Sequence, residues 1–155
     1  MVEVAINVNL TATKGSLNKL KFKVPKAQKR ALSLTAQWIQ TAIKTRTGKG
    51  RDWKGGSFKS YSSGYKKKRL KRGATLTPNL MWSGQMLGNM TNKQVSANKF
   101  KVFFPNQIQN RKAAYHDFFG AGKGKVIRPF FSVSNKEEMK AVNIFKKAFE
   151  KDLRI

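Results

Sequence analysis

Cysteine is absent and histidine occurs once, at position 116. The first absence excludes disulfides, thiolate metal sites and cysteine nucleophiles. A single His116 leaves nothing from which to build a histidine metal site or a Ser-His triad. Acidic residues are the next shortage. There are seven, Glu3, Asp52, Asp117, Glu137, Glu138, Glu150 and Asp152. A two-metal nuclease needs two or three carboxylates in one place, and these are scattered. Only His116 and Asp117 stand together, and adjacent residues on a helix point apart. The expectation is no catalytic residue, no metal ligand and no cofactor: the chain reads as a protein that is not an enzyme. No apolar run approaches the roughly 18 residues a membrane span needs, so no membrane partner is expected. No signal peptide is read at the N-terminus.

What the chain has in excess is positive charge. Lys and Arg number 33 in 155 residues, for a formal net charge of +26. Charge of this size destabilises a compact state by self-repulsion unless an anionic partner offsets it. It is not spread evenly. Residues 44–72 carry 12 basic groups and one acid, and no acid lies between Glu3 and Asp52. Natural surfaces intersperse the two signs, so a solvated face alone does not account for this pattern. A phosphate backbone does, through counterion release and without base specificity. An acidic protein neighbour would do so too. Leu, Ile, Val and Phe supply 37 residues, above the roughly 20% below which charged chains stay disordered. The chain therefore has a modest core.

Along the chain, Val2, Val4, Ile6, Val8 and Leu10 alternate with polar or small residues and predict a strand. Leu20, Phe22 and Val24 alternate with lysines. They fit a second strand, or a short amphipathic helix from Ser16. Pro25 suits a helical first turn. Ala31, Leu32, Thr35, Trp38, Ile39, Ala42 and Ile43 recur at helical spacing, predicting a helix from about Pro25 to Lys44 with Trp38 in the core. The stretch 45–78 holds six glycines and the densest charge. It reads as a long basic arm, ordered against a partner, with a helical turn near 62–72. Its aromatic residues either stack on nucleic-acid bases or pin the arm to its own domain or a neighbouring subunit. The second option is preferred, because duplex DNA exposes no base faces.

Leu80, Met81, Trp82, Met86, Leu87 and Met90 have helical spacing and suggest packing in the core or at a subunit seam. Phe100, Val102 and Phe104 predict a strand ending at Pro105. A short helix is expected over Ala113–Phe119, stopped by Gly120, with His116 as a structural histidine. GAGKGK (120–125) lacks the Ser or Thr that a phosphate-binding Walker loop requires after its lysine, and reads as a flexible loop or hairpin. VIRPFFSV (126–133) is β-prone, with Pro129 placing it at an edge. Ser134 and Glu137 form a capping box for a helix from about Asn135 to Leu153. Met139, Val142, Phe145, Phe149 and Leu153 line one face of that helix. The sum is a single α+β domain over 1–155: a small antiparallel sheet packed by two amphipathic helices, with a long basic arm at about 45–78.

Four stretches together carry a family resemblance. GRDWKGGSFKSYSSGYKKKRLKRG (50–73), TLTPNLMWSGQMLGNM (75–90), AAYHDFFG (113–120) and RPFFSVS (128–134) precede a terminal helix. In that order the chain resembles the tail-completion, or virion morphogenesis, proteins of long-tailed bacteriophages, over roughly residues 27–153. It departs from the family pattern at Ser60, where proline is common, at Trp82-Ser83-Gly84, where the family has Thr-Gly, and at Ser132, where glycine often follows the aromatic pair. The turn from His116 to Gly120 is slightly longer than usual.

The resemblance implies structural work at the neck of a virion. A homo-oligomeric ring of about six or twelve copies would join the DNA-filled head to the tail. Its expected partners are portal, adaptor and tail proteins and, in the channel, double-stranded DNA. Its expected place is the virion, and the host cytoplasm during assembly. Contacts with DNA or an acidic neighbour are expected from Lys49, Arg51, Lys54, Lys59, Lys66, Lys67, Lys68, Arg69, Lys71 and Arg72. Trp53, Phe58, Tyr61, Tyr65 and Trp82 are expected to anchor the arm or a subunit interface. The alternative is a stand-alone, sequence-nonspecific nucleic-acid-binding protein.

Overall fold

A computed structural model describes residues 10–122 and 124–153, and of 10–19 the backbone alone. Helix α1 spans Leu10–Gly48, about 58 Å at the helical rise per residue. Helix α2 follows at Ser63–Leu70 and a single turn, α3, at Gln85–Gly88. Strands β1 (Thr91–Ser96) and β2 (Lys99–Phe103) form an antiparallel hairpin. Helix α4 (Gln107–Ala114) runs into a π-helical turn at Tyr115–Phe119, and α5 (Asn135–Leu153) closes the chain. The fold is α+β, as the periodicities predict. No described helix is long and apolar enough to cross a membrane.

The expected strand over residues 2–10 falls, apart from Leu10, outside the described residues. Leu10 opens α1. Residues 20–24 are helical, so of the two readings the helix holds. Leu20, Val24, Ala27 and Ala31 share one helical face, half-buried at its start and fully buried at Ala27 and Ala31, while Phe22 is 78% exposed. The period-two pattern at Leu20, Phe22 and Val24 was the accidental one. Pro25 does not start the helix but lies inside it. Its ring removes one hydrogen bond, at a typical cost of about 3 kcal/mol. Lys21, whose carbonyl loses its partner, is exposed, and water can take the bond.

α1 packs mainly on α5, with its β1 and β2 contacts alongside. Small residues on both helices, Ala27, Ala31 and Ala36 on α1 and Ala141 on α5, are buried. They allow close backbone approach. The ends are tied as well. Ser134 and Glu137 complete the reciprocal capping box, with the Glu137 carboxylate accepting from the Ser134 amide at 2.9 Å. The same carboxylate pairs with Arg46 from the last turn of α1. Arg46 also donates to the carbonyls of Phe130 and Ser132, both at 2.8 Å.

The core lies below this helix pair. Ile43, Phe58, Leu80, Met86, Leu87, Met90, Phe104, Ala113 and Phe130 form one cluster. Phe130 is fully buried, 6.3 Å from the Phe104 ring. Phe58 belongs to stretch 45–78, so that stretch is no extended arm. It folds back on its own domain, through Phe58 in the core and through the Trp53 amide on the Pro129 carbonyl at 3.3 Å.

Three further expectations are corrected. The helix across Leu80–Met90 shrinks to α3. Leu80 at φ 55° and Gly84 at φ 74° break the path before it, and the methionines pack from a folded loop. The helix over Ala113–Phe119 begins earlier, as α4 at Gln107. There the Asn106 side chain accepts from the amides of Ile108 and Gln109, and the π turn follows. Gly120, at φ 82°, ends it; a Cβ there would sit 2.2 Å from the Lys125 carbonyl oxygen. Finally, 126–133 is not a strand beyond an isolated bridge of Val126 to Ala121. Pro129 has no N–H, and the Asp117 carboxylate takes the amides of Phe130 (2.7 Å) and Phe131 (3.0 Å). A side chain serves where a neighbouring strand would have.

Candidate anion-binding surface and cavity

The basic stretch folds around one of its own arginines. Arg69, expected to contact an outside anion, is 1% exposed. Its guanidinium lies 5.0 Å from the Tyr61 ring centre, 5.9 Å from Tyr65 and 5.8 Å from Trp82. The rings support one another: Tyr61 meets Tyr65 edge-on at 4.8 Å and Tyr65 meets Trp82 at 5.4 Å. Nε of Arg69 donates to the Thr75 carbonyl at 2.6 Å, while Nη1 is buried without a partner. The Asn79 amide donates to the Tyr61 hydroxyl at 3.2 Å. Arg69 is thus the post around which α2 and the following loop close, not an external contact. Arginine suits this because it is weakly hydrated and stacks on aromatic faces.

The other expected contacts point outward. Lys49, Arg51, Lys54, Lys59, Lys67, Lys68, Lys71 and Arg72 are exposed, and Lys66 is half-buried. Arg72 lies 4.6 Å over the Trp82 ring, which is 43% exposed. Little of this charge is neutralised within the chain. The described residues form two ion pairs, Arg30–Asp152 and Arg46–Glu137. Among the expected anchors, Phe58 sits in the core, Tyr61, Tyr65 and Trp82 surround Arg69, and Trp53 carries Lys54 over its ring at 5.1 Å.

Arg128, which the sequence reading did not single out, is the second buried arginine, 5% exposed. It lies 5.2 Å from the opposite partner of the cluster, the Tyr61 ring. Its Nε and Nη2 donate to the carbonyls of Lys59 (3.0 Å) and Ser60 (3.2 Å), and its amide to the His116 carbonyl at 2.7 Å. The available signal was an arginine held before a proline inside an otherwise apolar run. His116 is half-buried with Nδ1 unpartnered. Burial and then the Arg128 charge hold it below its usual range, in the neutral form. Asp117 is fully engaged by main-chain amides, so the adjacent His116–Asp117 pair does not act as a unit.

A cavity of about 730 Å³ opens between α2 and the 120–128 segment, walled by Tyr61, Tyr65 and Trp82 and reached by Lys68, His116 and Arg128. No acidic residue lines it among the described residues. A separate groove runs along α4 and the π turn. Ile108, Tyr115, Phe118 and Phe119 are exposed there, with Arg111 and Lys112 between them. Among the described residues no cluster of three or more His, Asp or Glu could hold a metal ion. The molecule is therefore a small α+β protein with a cationic, aromatic-rich surface. No family model, curated protein or solved structure matches the chain.

Proposed function

We propose that this protein is a structural component of a long-tailed phage virion, of the neck or tail-completion type. Copies assemble as a ring that joins head to tail, and its exposed cations meet DNA or acidic neighbouring subunits. The family motifs suggest the setting. The observation that carries the anionic partner is the uncompensated charge: Lys67, Lys68, Lys71 and Arg72 stand together on and after α2, with no acid among the described residues of 53–116 to offset them. Phosphate contacts of this kind fix position without reading sequence. The exposed Ile108, Tyr115, Phe118 and Phe119 supply an apolar face of the sort that marks protein contacts. That face favours an assembling subunit over a stand-alone nucleic-acid binder.

The test is alanine at Lys66, Lys67, Lys68, Lys71 and Arg72, leaving Arg69 in place because the fold needs it. The expected result is a loss of complete virions, with heads and tails accumulating apart. Undiminished joining would reject the role. A purified wild-type protein that stays monomeric yet binds DNA with steep salt dependence would favour the stand-alone binder.

A further inference from the structure

The geometry points to a second anionic site, distinct from the exposed lysines: the cavity between α2 and the 120–128 segment takes a nucleotide phosphate. Two independent observations meet there. The first is the start of α2. Ser62 occupies its N-cap without a side-chain cap hydrogen bond, and the first turn carries no acid. Among the described residues the amides of Ser63, Gly64 and Tyr65 find no acceptor. Ser62 and Gly64 line the cavity, and a helix start with free amides attracts phosphate through hydrogen bonding and the helix dipole. The second is Arg128, 5% exposed and lining the same cavity. Two of its side-chain nitrogens are fixed by main-chain carbonyls, leaving Nη1 over as a pre-positioned donor.

Lys68 and the unpartnered Nδ1 of His116 add further donors at the wall. A phosphate, with three or more accepting oxygens, uses such a set more completely than a carboxylate does. The volume of about 730 Å³ lies within the roughly 300–1,000 Å³ of small-molecule sites. The Tyr61, Tyr65 and Trp82 walls suit a flat ring attached to the phosphate. The same chemistry has two sources, a free nucleotide or the 5′-phosphate end of a nucleic-acid strand. The inference does not depend on ring assembly.

The experiment is calorimetric titration of the full chain at about 0.15 M salt, which screens loose surface binding. The probes are a nucleoside 5′-monophosphate, inorganic phosphate, a short single-stranded oligonucleotide with and without a 5′-phosphate, and a glutamate-rich peptide. One equivalent of mononucleotide or of 5′-phosphorylated strand should bind saturably. Whichever binds more tightly identifies the source. Ser62→Asp supplies the helix with its own carboxylate, and Lys68→Glu reverses a charge on an exposed side chain. Both should fold with unchanged circular dichroism and each should weaken binding by at least about tenfold, the worth of one charge-assisted hydrogen bond. The inference is overturned by no saturable binding of either nucleotide probe, or by both variants binding like wild type. Equal affinity for the glutamate peptide or for inorganic phosphate would also overturn it.

Discussion

At the residue scale, charge type did not decide position. Arg69 and Lys68 are neighbours in one basic run, yet Arg69 is buried against three aromatic rings and Lys68 is exposed. The difference follows from helical geometry. Arg69 lies four residues after Tyr65, on the face that packs, and its planar group tolerates desolvation where an ammonium does not. Arg69→Ala should therefore cost about 3 kcal/mol in urea unfolding, through lost packing and an orphaned Thr75 carbonyl and Asn79 amide oxygen. Lys68→Ala should stay within about 0.5 kcal/mol. Equal effects would mean that the aromatic cluster does not hold Arg69.

The same scale sets the pH response. His116 is held below its ordinary 6.5 by burial and then by Arg128. The folded state prefers the neutral ring, so this contribution is full above pH 6.5 and is lost as pH falls through the lower folded value. Burial alone would raise the Glu137 carboxyl, but Ser134 and Arg46 outweigh it and hold it low. That contribution is present above the unfolded carboxylate range and is lost at still lower pH. Melting temperature should thus fall in two stages on acidification. His116→Gln should flatten the upper stage and leave the lower one, as read by calorimetry across pH.

At the element scale, legibility tracked how local the cause was. The terminal helix was readable residue for residue, because its capping box and apolar face lie within its own sequence. β2 was readable from Phe100 and Val102, but its partner was not. Thr91–Ser96 has one apolar residue, Val95, and that one is exposed, so hairpin pairing rather than side-chain pattern makes it a strand. α1 went wrong at Pro25, which reads as a boundary because a proline inside a helix is costly. Burial of Ala27 and Ala31 beyond it outweighs that cost. Since Pro25 is exposed, Pro25→Ala should stabilise the protein by about 1–3 kcal/mol. A destabilised variant would show that the helix does not run through this position.

At the scale of the whole molecule, the excess of cations acts against the fold. A formal charge of +26 with two internal ion pairs among the described residues makes self-repulsion a standing cost. Salt shortens its range, from about 30 Å at 0.01 M to about 8 Å at 0.15 M. Raising sodium chloride between those concentrations should raise the melting temperature by a few degrees, on the order of 1 kcal/mol for a chain this size. The same salt should weaken any binding to DNA. A melting temperature that does not rise with salt would mean the charges are neutralised within the fold.

Composition and local pattern alone determined the anionic character of the partner, the modest core, the α+β class and the last helix. Each depends on residue type or on neighbours a few positions apart. The folded-back course of 45–78, the burial of Arg69 and Arg128, and the use of Asp117 in place of a strand were decided only in three dimensions. They depend on contacts between residues tens of positions apart, such as Asp117 with Phe130 or Lys59 with Arg128. There a carboxylate or guanidinium is placed by what it must satisfy once buried, which no local periodicity records.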